Sequence, residues 1–294
     1  MNGIIINLAP TGMVPTRAMT PHVPISPEEI VRDVLECLEL GPGIIHLHAR
    51  DERGEPTWRK EVYAEIIHGI RRRRQDIIIC VSTSGRLHGE LAQRADVLDL
   101  DGPLKPDMAS LTLGSLNFAR SASVNSPQMI VSLLERMNER GIKPELEIFD
   151  LGMINFGHYL IRKGLLKPPY YFNILLGNIA TAQATLHAIG LMISELPQPC
   201  VWALAGIGDS QRKVTSMAVA MGASIRIGLE DNIYFDETRS RLATNAMLLE
   251  RAAAIAAAAG VAIASADEIR AGLELPPAGR RPALSDAGRR TAMV

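Results

Sequence analysis

Net charge is almost absent from this chain: 31 Lys and Arg stand against 32 Asp and Glu in 294 residues, a formal charge of −1. That balance gives no global basic surface for nucleic acid or for an anionic membrane, and the 47% hydrophobic content excludes a disordered chain. A charged ligand must therefore be met locally. Cysteine is scarce: Cys37, Cys80 and Cys200 lie far apart and form no C-x-x-C or paired spacing. They read as reduced core thiols of a cytoplasmic protein. An export signal is also lacking, because the apolar run in MNGIIINLAPTG is too short and has neither a basic flank nor a cleavage site. The Ala-rich stretch 252–264 contains Gly260 and is too short to span a bilayer. One basic run, Arg71 to Arg74, is expected to be a solvated helix C-terminal cap, with a binding patch as the alternative.

What the chain does have is alternation. Short β-branched runs at 4–7, 44–48, 77–82, 108–112, 145–149, 171–175, 200–205 and 224–228 alternate with helical segments at 27–40, 60–73, 127–140, 152–163, 180–195, 210–221 and 237–259. No long linker interrupts them, and only the connection RLHGELAQRADVLDLDG reads as an irregular or helical excursion. Eight strands in this order favour an α/β fold of the (β/α)8 TIM barrel type over a doubly wound sheet. Residues 1–275 are assigned to the barrel domain and 276–294 to a C-terminal tail, mobile or serving as an oligomer arm. Helix punctuation supports the placement. SPEEI sets Ser26 as N-cap, Pro27 at the first helical position and Glu29 three residues after the cap.

The second strand, in GIIHLHARDERGEPT, carries His46 and His48 two positions apart. On a strand that spacing puts both imidazoles on one face, a geometry suited to two ligands of one metal ion. The alternative is a pair of satisfied polar residues at a strand end. The active site of such a barrel lies at the C-terminal mouth, where RIGLEDN ends the eighth strand. Glu230 could complete a His2Glu site with an open position, and Asp231 could act as general base with Arg226 orienting it and lowering its pKa. A loop ion pair or helix N-cap is the competing explanation. In AGIGDS, Gly206, Gly208 and Ser210 mark a strand-to-helix turn that could hold a phosphate of a cofactor, or could be a tight turn without a ligand.

Taken in order, TGMVPTRAMTPHVPISPEEI, IIHLHARDERGEPT, STSGR, KPDMASLTLGSLNF, KPELEIFDLGM, WALAGIGDS and IRIGLEDN resemble the β-keto acid cleavage enzymes, the family typified by 3-keto-5-aminohexanoate cleavage enzyme. The resemblance runs from residue 4 to about residue 270. It implies a zinc-dependent barrel that condenses a β-keto acid with the co-substrate acetyl-CoA, giving acetoacetate and a new acyl-CoA. By the same resemblance His46, His48 and Glu230 match the metal ligands, and Arg226 and Asp231 the residues of proton abstraction. Ser82 and Ser110 would hold the substrate carboxylate; Ser84 lies beside them and is equally well explained as a turn cap. Glu147, on the face it shares with Glu145, could orient a metal ligand from behind. A homotetramer is the assembly the family suggests.

One position departs from the pattern. Val14 stands where the aminohexanoate-cleaving member has a Glu that meets its substrate's amino group, so a substrate without a terminal ammonium, with an apolar chain as one option, is expected here. N/O ligation also admits another divalent transition metal, Fe²⁺, Co²⁺ or Ni²⁺. A CoA-independent metal-dependent aldolase or hydrolase on the same barrel is the alternative enzyme. A metal- or metabolite-binding regulator is the non-enzymatic one, and it would not require a base beside the metal.

Overall fold

The structure is a computed structural model that describes residues 2–278. Eight parallel strands close into a barrel: β1 (Ile6–Leu8), β2 (Ile44–Leu47), β3 (Ile78–Val81), β4 (Met108–Thr112), β5 (Lys143–Ile148), β6 (Tyr170–Leu176), β7 (Cys200–Gly206) and β8 (Ser224–Ile227). Each pairs with its sequence neighbours, and β1 closes the ring on β8 through Ile6 and Ile225. The helices are α1 (Pro27–Cys37), α2 (Lys60–Arg71), α3 (Leu91–Ala95), α4 (Pro127–Arg140), α5 (Leu151–Arg162), α6 (Leu186–Ser194), α7 (Ser210–Ala220), α8 (Asn245–Ala259) and α9 (Ala266–Gly272). No helix among the described residues is long and apolar enough to cross a membrane.

Alternation along each strand sorts the side chains. Ile45, Leu47, Ile79, Val81, Leu146, Ile148, Ile225 and Ile227 pack in the core between sheet and helices. Ile5, Ile44, Ile78 and Met108 point into the barrel and form a smaller apolar plug at its N-terminal end with Ile269 of α9 and Leu273 just past it. Above that plug the interior turns polar, with Asn7, His46, Glu145, Asn173 and Arg226 all buried.

Local chemistry accounts for the boundaries that differ from expectation. Ser26 and Ser265 each close a capping box, while Ser126, Asp150, Thr185 and Thr244 each accept an amide from the first turn of their helix. Thr185 and Thr244 therefore start α6 and α8 later than hydrophobic pattern alone suggested. Ahead of α8, Asp236 accepts the Ser240 and Arg241 amides and ties residues 236–241 into a turn. The first strand begins at Ile6 because the backbone of Ile4 pairs instead with Ala262 and Ala264. The ambiguous third connection holds α3 and short 3₁₀ turns, and α9 was not anticipated. Apart from residues 276–278, the expected tail lies outside the described residues.

Two expectations about single residues are corrected. Arg71 is not a solvated cap: it is buried and donates to the carbonyls of Pro103 and Lys105 and to Asp107, which Arg270 also holds at 2.8 Å. The end of α2 abuts the bottom of the barrel, so its first basic residue is drawn inward to a carboxylate. Cys37 and Cys80 are buried free thiols, but Cys200, on the first residue of β7, is only half-buried.

Where α1 meets α8, Asp33 accepts a hydrogen bond from Asn245 at 2.7 Å. Burial raises its pKa to about 6, against the lowering effect of that hydrogen bond. The folded carboxyl thus keeps its proton at a pH where the unfolded chain has lost it, and the cost of ionising it grows as pH rises from about 4 through about 6. Asp33→Asn should therefore be more stable than the wild type by up to ~3 kcal/mol at pH 7.5 and by roughly half of that at pH 5, measured by urea denaturation. A gain independent of pH would place the cost elsewhere.

Candidate active site at the barrel mouth

His46 is the last inward residue of β2 and His48 follows just beyond the strand, so their rings share a face with centroids 5.3 Å apart. Glu230 approaches from the loop after β8. His48 Nε2 lies 3.2 Å from Glu230 Oε1, and His46 Nε2 lies 4.0 Å from Glu230 Oε2. One ligand atom from each of the three residues falls within 4.8 Å of the others. Glycine makes this approach possible. A Cβ on Gly12, at φ +64°, would stand 2.5 Å from Glu230 Cγ, and one on Gly228, at φ +154°, would stand 2.0 Å from the Ala9 carbonyl oxygen. The loops after β1 and β8 consequently pack backbone on backbone. Arg50, buried and absent from the sequence reading, fixes the first of them by donating to the carbonyls of Gly12 and Pro15 at 3.0 Å.

Arg226, buried on β8, is the centre of the charged network. It donates to Glu147 at 2.9 Å, to Glu230 at 2.6 Å and to Asp231 through Nε at 3.1 Å. Glu145 adds a fourth carboxylate that raises the Arg226 pKa. One guanidinium against four carboxylates leaves the cluster negative. Burial opposes the charge on Glu230, but Arg226, His48 and His46 outweigh it and hold the carboxyl well below the usual range. Burial raises the Asp231 pKa despite the lowering effect of Arg226, with Glu230 adding to the rise. Arg226 holds Asp231 through Nε and Nη2, but, against expectation, it does not bring the Asp231 pKa below the ordinary value.

The two acids of ELEIF part company. Glu145, one layer deeper, accepts from His46 Nδ1 at 2.6 Å and from Asn7 at 2.6 Å, which leaves His46 Nε2 facing Glu230. Glu147 contacts no histidine; it accepts from Arg226 and, at 2.7 Å, from Thr112. Glu147, expected to orient a metal ligand from behind, meets Arg226 and Thr112 and not a histidine, because the register pairs Glu145 with Ser110 and Glu147 with Thr112, nearer the rim. Burial pushes the His46 pKa down, but Glu145 and Glu230 more than offset that; His48, without a second acid, is lowered by burial.

Ser82, Ser84 and Ser110 lie on the β3 and β4 side of the mouth. Ser82 Oγ accepts the Ser84 amide, Ser84 Oγ accepts the Arg86 amide and Ser110 Oγ accepts the Thr83 amide. Ser82 and Ser84 thus cap local turns and Ser110 ties β4 to the loop after β3, and each hydroxyl still has its own proton to give. Ser82 and Ser84 share the wall of a cavity of about 20 Å³ with His48 and Met13, and Val14 is exposed on the same β1 loop at 46%. The AGIGDS turn is less open than expected. The amides of Ile207, Gly208, Ser210 and Gln211 already donate to Leu176, Asp231, Ile207 and Gly208, and Gly206 packs against the Gln211 backbone. Of the turn's two glycines, Gly208 alone has open space where a Cβ would stand.

A family model described as beta-keto acid cleavage enzyme matches residues 3–275. The chain is 35% identical over 277 residues to a 3-keto-5-aminohexanoate cleavage enzyme of Fusobacterium nucleatum subsp. nucleatum, covering 94% of this chain and 99% of that one. It is 32% identical over 275 residues to a 3-oxoadipate:acetyl-CoA acetyltransferase of Cupriavidus necator, covering 92% and 95%. The apo structure of ObcA superimposes with a TM-score of 0.77 at 20% identity, covering 88% of this chain and 66% of that one, a likeness of fold.

Removing the central cation should be costly whatever the site does. Arg226→Met strands the carboxylates it holds in a buried setting and should destabilise the chain by about 3–5 kcal/mol, read by chemical denaturation. A change below about 1 kcal/mol would mean that solvent, not Arg226, carries these charges.

Proposed function

The chain belongs to the β-keto acid cleavage enzymes, and from that premise we propose that it condenses a β-keto acid with acetyl-CoA and returns acetoacetate and a new acyl-CoA. The observation that carries the reading is the convergence of His46, His48 and Glu230 within 4.8 Å, beside a buried base, Asp231, held by Arg226.

The donor set suits a divalent ion. Glu230 Oε2 is buried without a hydrogen-bond partner, the cluster has carboxylates in excess, and His46 is held so that Nε2 is its free nitrogen. We assign His46, His48 and Glu230 as the ligands, with Zn²⁺ the ion and Fe²⁺, Co²⁺ or Ni²⁺ compatible with the same donors. When bound, the ion supplies Lewis acidity to the ketone and carboxylate oxygens of a β-keto acid and so acidifies its C2–H. Asp231, with a raised pKa and an orientation set by Arg226, takes the C2 proton. Ser82, Ser84 and Ser110 offer hydroxyl protons to the substrate carboxylate, and Glu145 fixes the tautomer of His46. C2 then attacks the acetyl thioester and expels CoA thiolate, the thiolate adds to the substrate's own C3 carbonyl, and cleavage of the C2–C3 bond leaves the acetoacetate carbanion, which takes the proton back from Asp231. Gly208, open at the rim of the β7 turn, leaves room for the CoA arm. Val14 offers nothing to a terminal ammonium, so the preferred substrate lacks one. A homotetramer working in the cytoplasm completes the proposal.

Three measurements test it. Acetyl-CoA is supplied with 3-keto acids bearing cationic, anionic and apolar tails, and products are followed by mass spectrometry with and without chelator. Chelator-sensitive acetoacetate with the matching acyl-CoA is expected, with 3-keto-5-aminohexanoate a poor substrate; turnover without acetyl-CoA would favour the aldolase or hydrolase alternative. Asp231→Asn should keep its metal and lose about 10²- to 10⁴-fold in kcat. His46→Ala should lose the metal itself, read by elemental analysis, and full occupancy in that variant would overturn the ligand assignment.

A further inference from the structure

Arg86 stands on the loop after β3, two residues past Ser84, and the reaction above leaves it without a task. Its guanidinium lies over the ring of Phe118, 3.8 Å from the centroid, and Phe118 meets Phe149 edge-on at 6.0 Å. Phe149 follows Glu147 by two residues at the end of β5, so this aromatic pair joins the inner acids to the rim. Arg86 is half-buried, and its one side-chain hydrogen bond is a long one to Ser121 Oγ at 3.4 Å. Among the described residues no carboxylate lies within ion-pair distance of it. Two arginines of the neighbouring rim loops differ. Arg17 is paired with Glu29, and Arg239 with Asp209 at 2.8 Å.

The loop that presents Arg86 is held firmly. Buried Arg94 donates to the Thr83 carbonyl at 2.8 Å and to Asn125 at 2.7 Å, and a Cβ on Gly85 would stand 2.5 Å from Arg94 Nη1. Burial lowers the pKa of Arg86, and the charge that opposes this is that of Glu230, across the mouth. A planar cation, stacked in place and short of a counter-charge, is built to take an anion.

We propose that Arg86 is a specificity-determining residue, receiving an anionic oxygen group from one of the two substrates: the distal carboxylate of a dicarboxylic β-keto acid, or a phosphate of the CoA thioester. This rests on the reaction proposed above and narrows its substrate. It also gives a second reason, beside Val14, for rejecting an ammonium tail.

The test compares wild type, Arg86→Met and Arg86→Lys on 3-oxoadipate and on 3-oxohexanoate, which has the same length without the distal carboxylate. Each is assayed with acetyl-CoA and with S-acetyl-N-acetylcysteamine, which carries no phosphate. If the anion is the carboxylate, Arg86→Met loses about 10- to 100-fold in kcat/KM on 3-oxoadipate while 3-oxohexanoate changes less than about 2-fold. If it is a phosphate, the loss appears as a raised KM for acetyl-CoA with either acid and is absent with the truncated thioester. Arg86→Lys should recover part of either loss, since it keeps the charge without the planar stack. Equal losses on all four substrate pairs, or no loss on any, would overturn the proposal. Calorimetric titration with 3-oxoadipate and with CoA reads the same contrast as binding, so a silent assay counts against the reaction and leaves Arg86 still tested.

Discussion

The mouth of this barrel depends on one buried guanidinium. Arg226 reaches Glu147, Glu230 and Asp231 from a single position on β8, and without it these acids could not be kept charged at such close quarters. Its planar fork matters as much as its charge, because three carboxylates at different heights are met by Nε and both terminal nitrogens. The loop after β8, the inner face of β5 and, through Glu230, the histidines of β2 are thereby locked into one arrangement.

That arrangement separates the work of neighbouring residues. Glu230 and Asp231 are adjacent in sequence, yet the first is driven well below the usual carboxylate range and the second is raised. The difference follows from partners. Glu230 faces two histidines as well as Arg226, while Asp231 has Arg226 and burial in opposition. Two carboxyls of opposite acid strength thus come from one dipeptide. The glycines at 12 and 228 supply the close approach that brings this dipeptide over the β2 histidines, and Arg50 holds the facing loop against it.

A second buried charge network lies at the other end. There Arg71, Arg270 and Asp107 form a buried network beneath the apolar plug of β1, β2, β3 and α9. The two buried charge networks thus lie at opposite ends of the barrel, one among the loops after β8 and the other against α9.

The sequence by itself determined the barrel and most of the site's membership. Period-two patterning makes each strand, capping residues start the helices, and the spacing of His46 and His48 makes them neighbours on one face, since these are local consequences of backbone geometry. The motifs were enough to place Glu230, Asp231 and Arg226 together at a strand end. Only the tertiary structure decided who partners whom. Glu145 and Glu147 share a face and differ by one layer, and the stagger between β4 and β5 sends one to His46 and the other to Arg226. The amides of the AGIGDS turn are taken by carbonyls from residues as distant as Leu176 and Asp231, which no local pattern reveals. Arg71 is drawn inward and Arg86 is left without a carboxylate for the same reason: a charge finds its partner through space, across contacts that barrel closure alone creates.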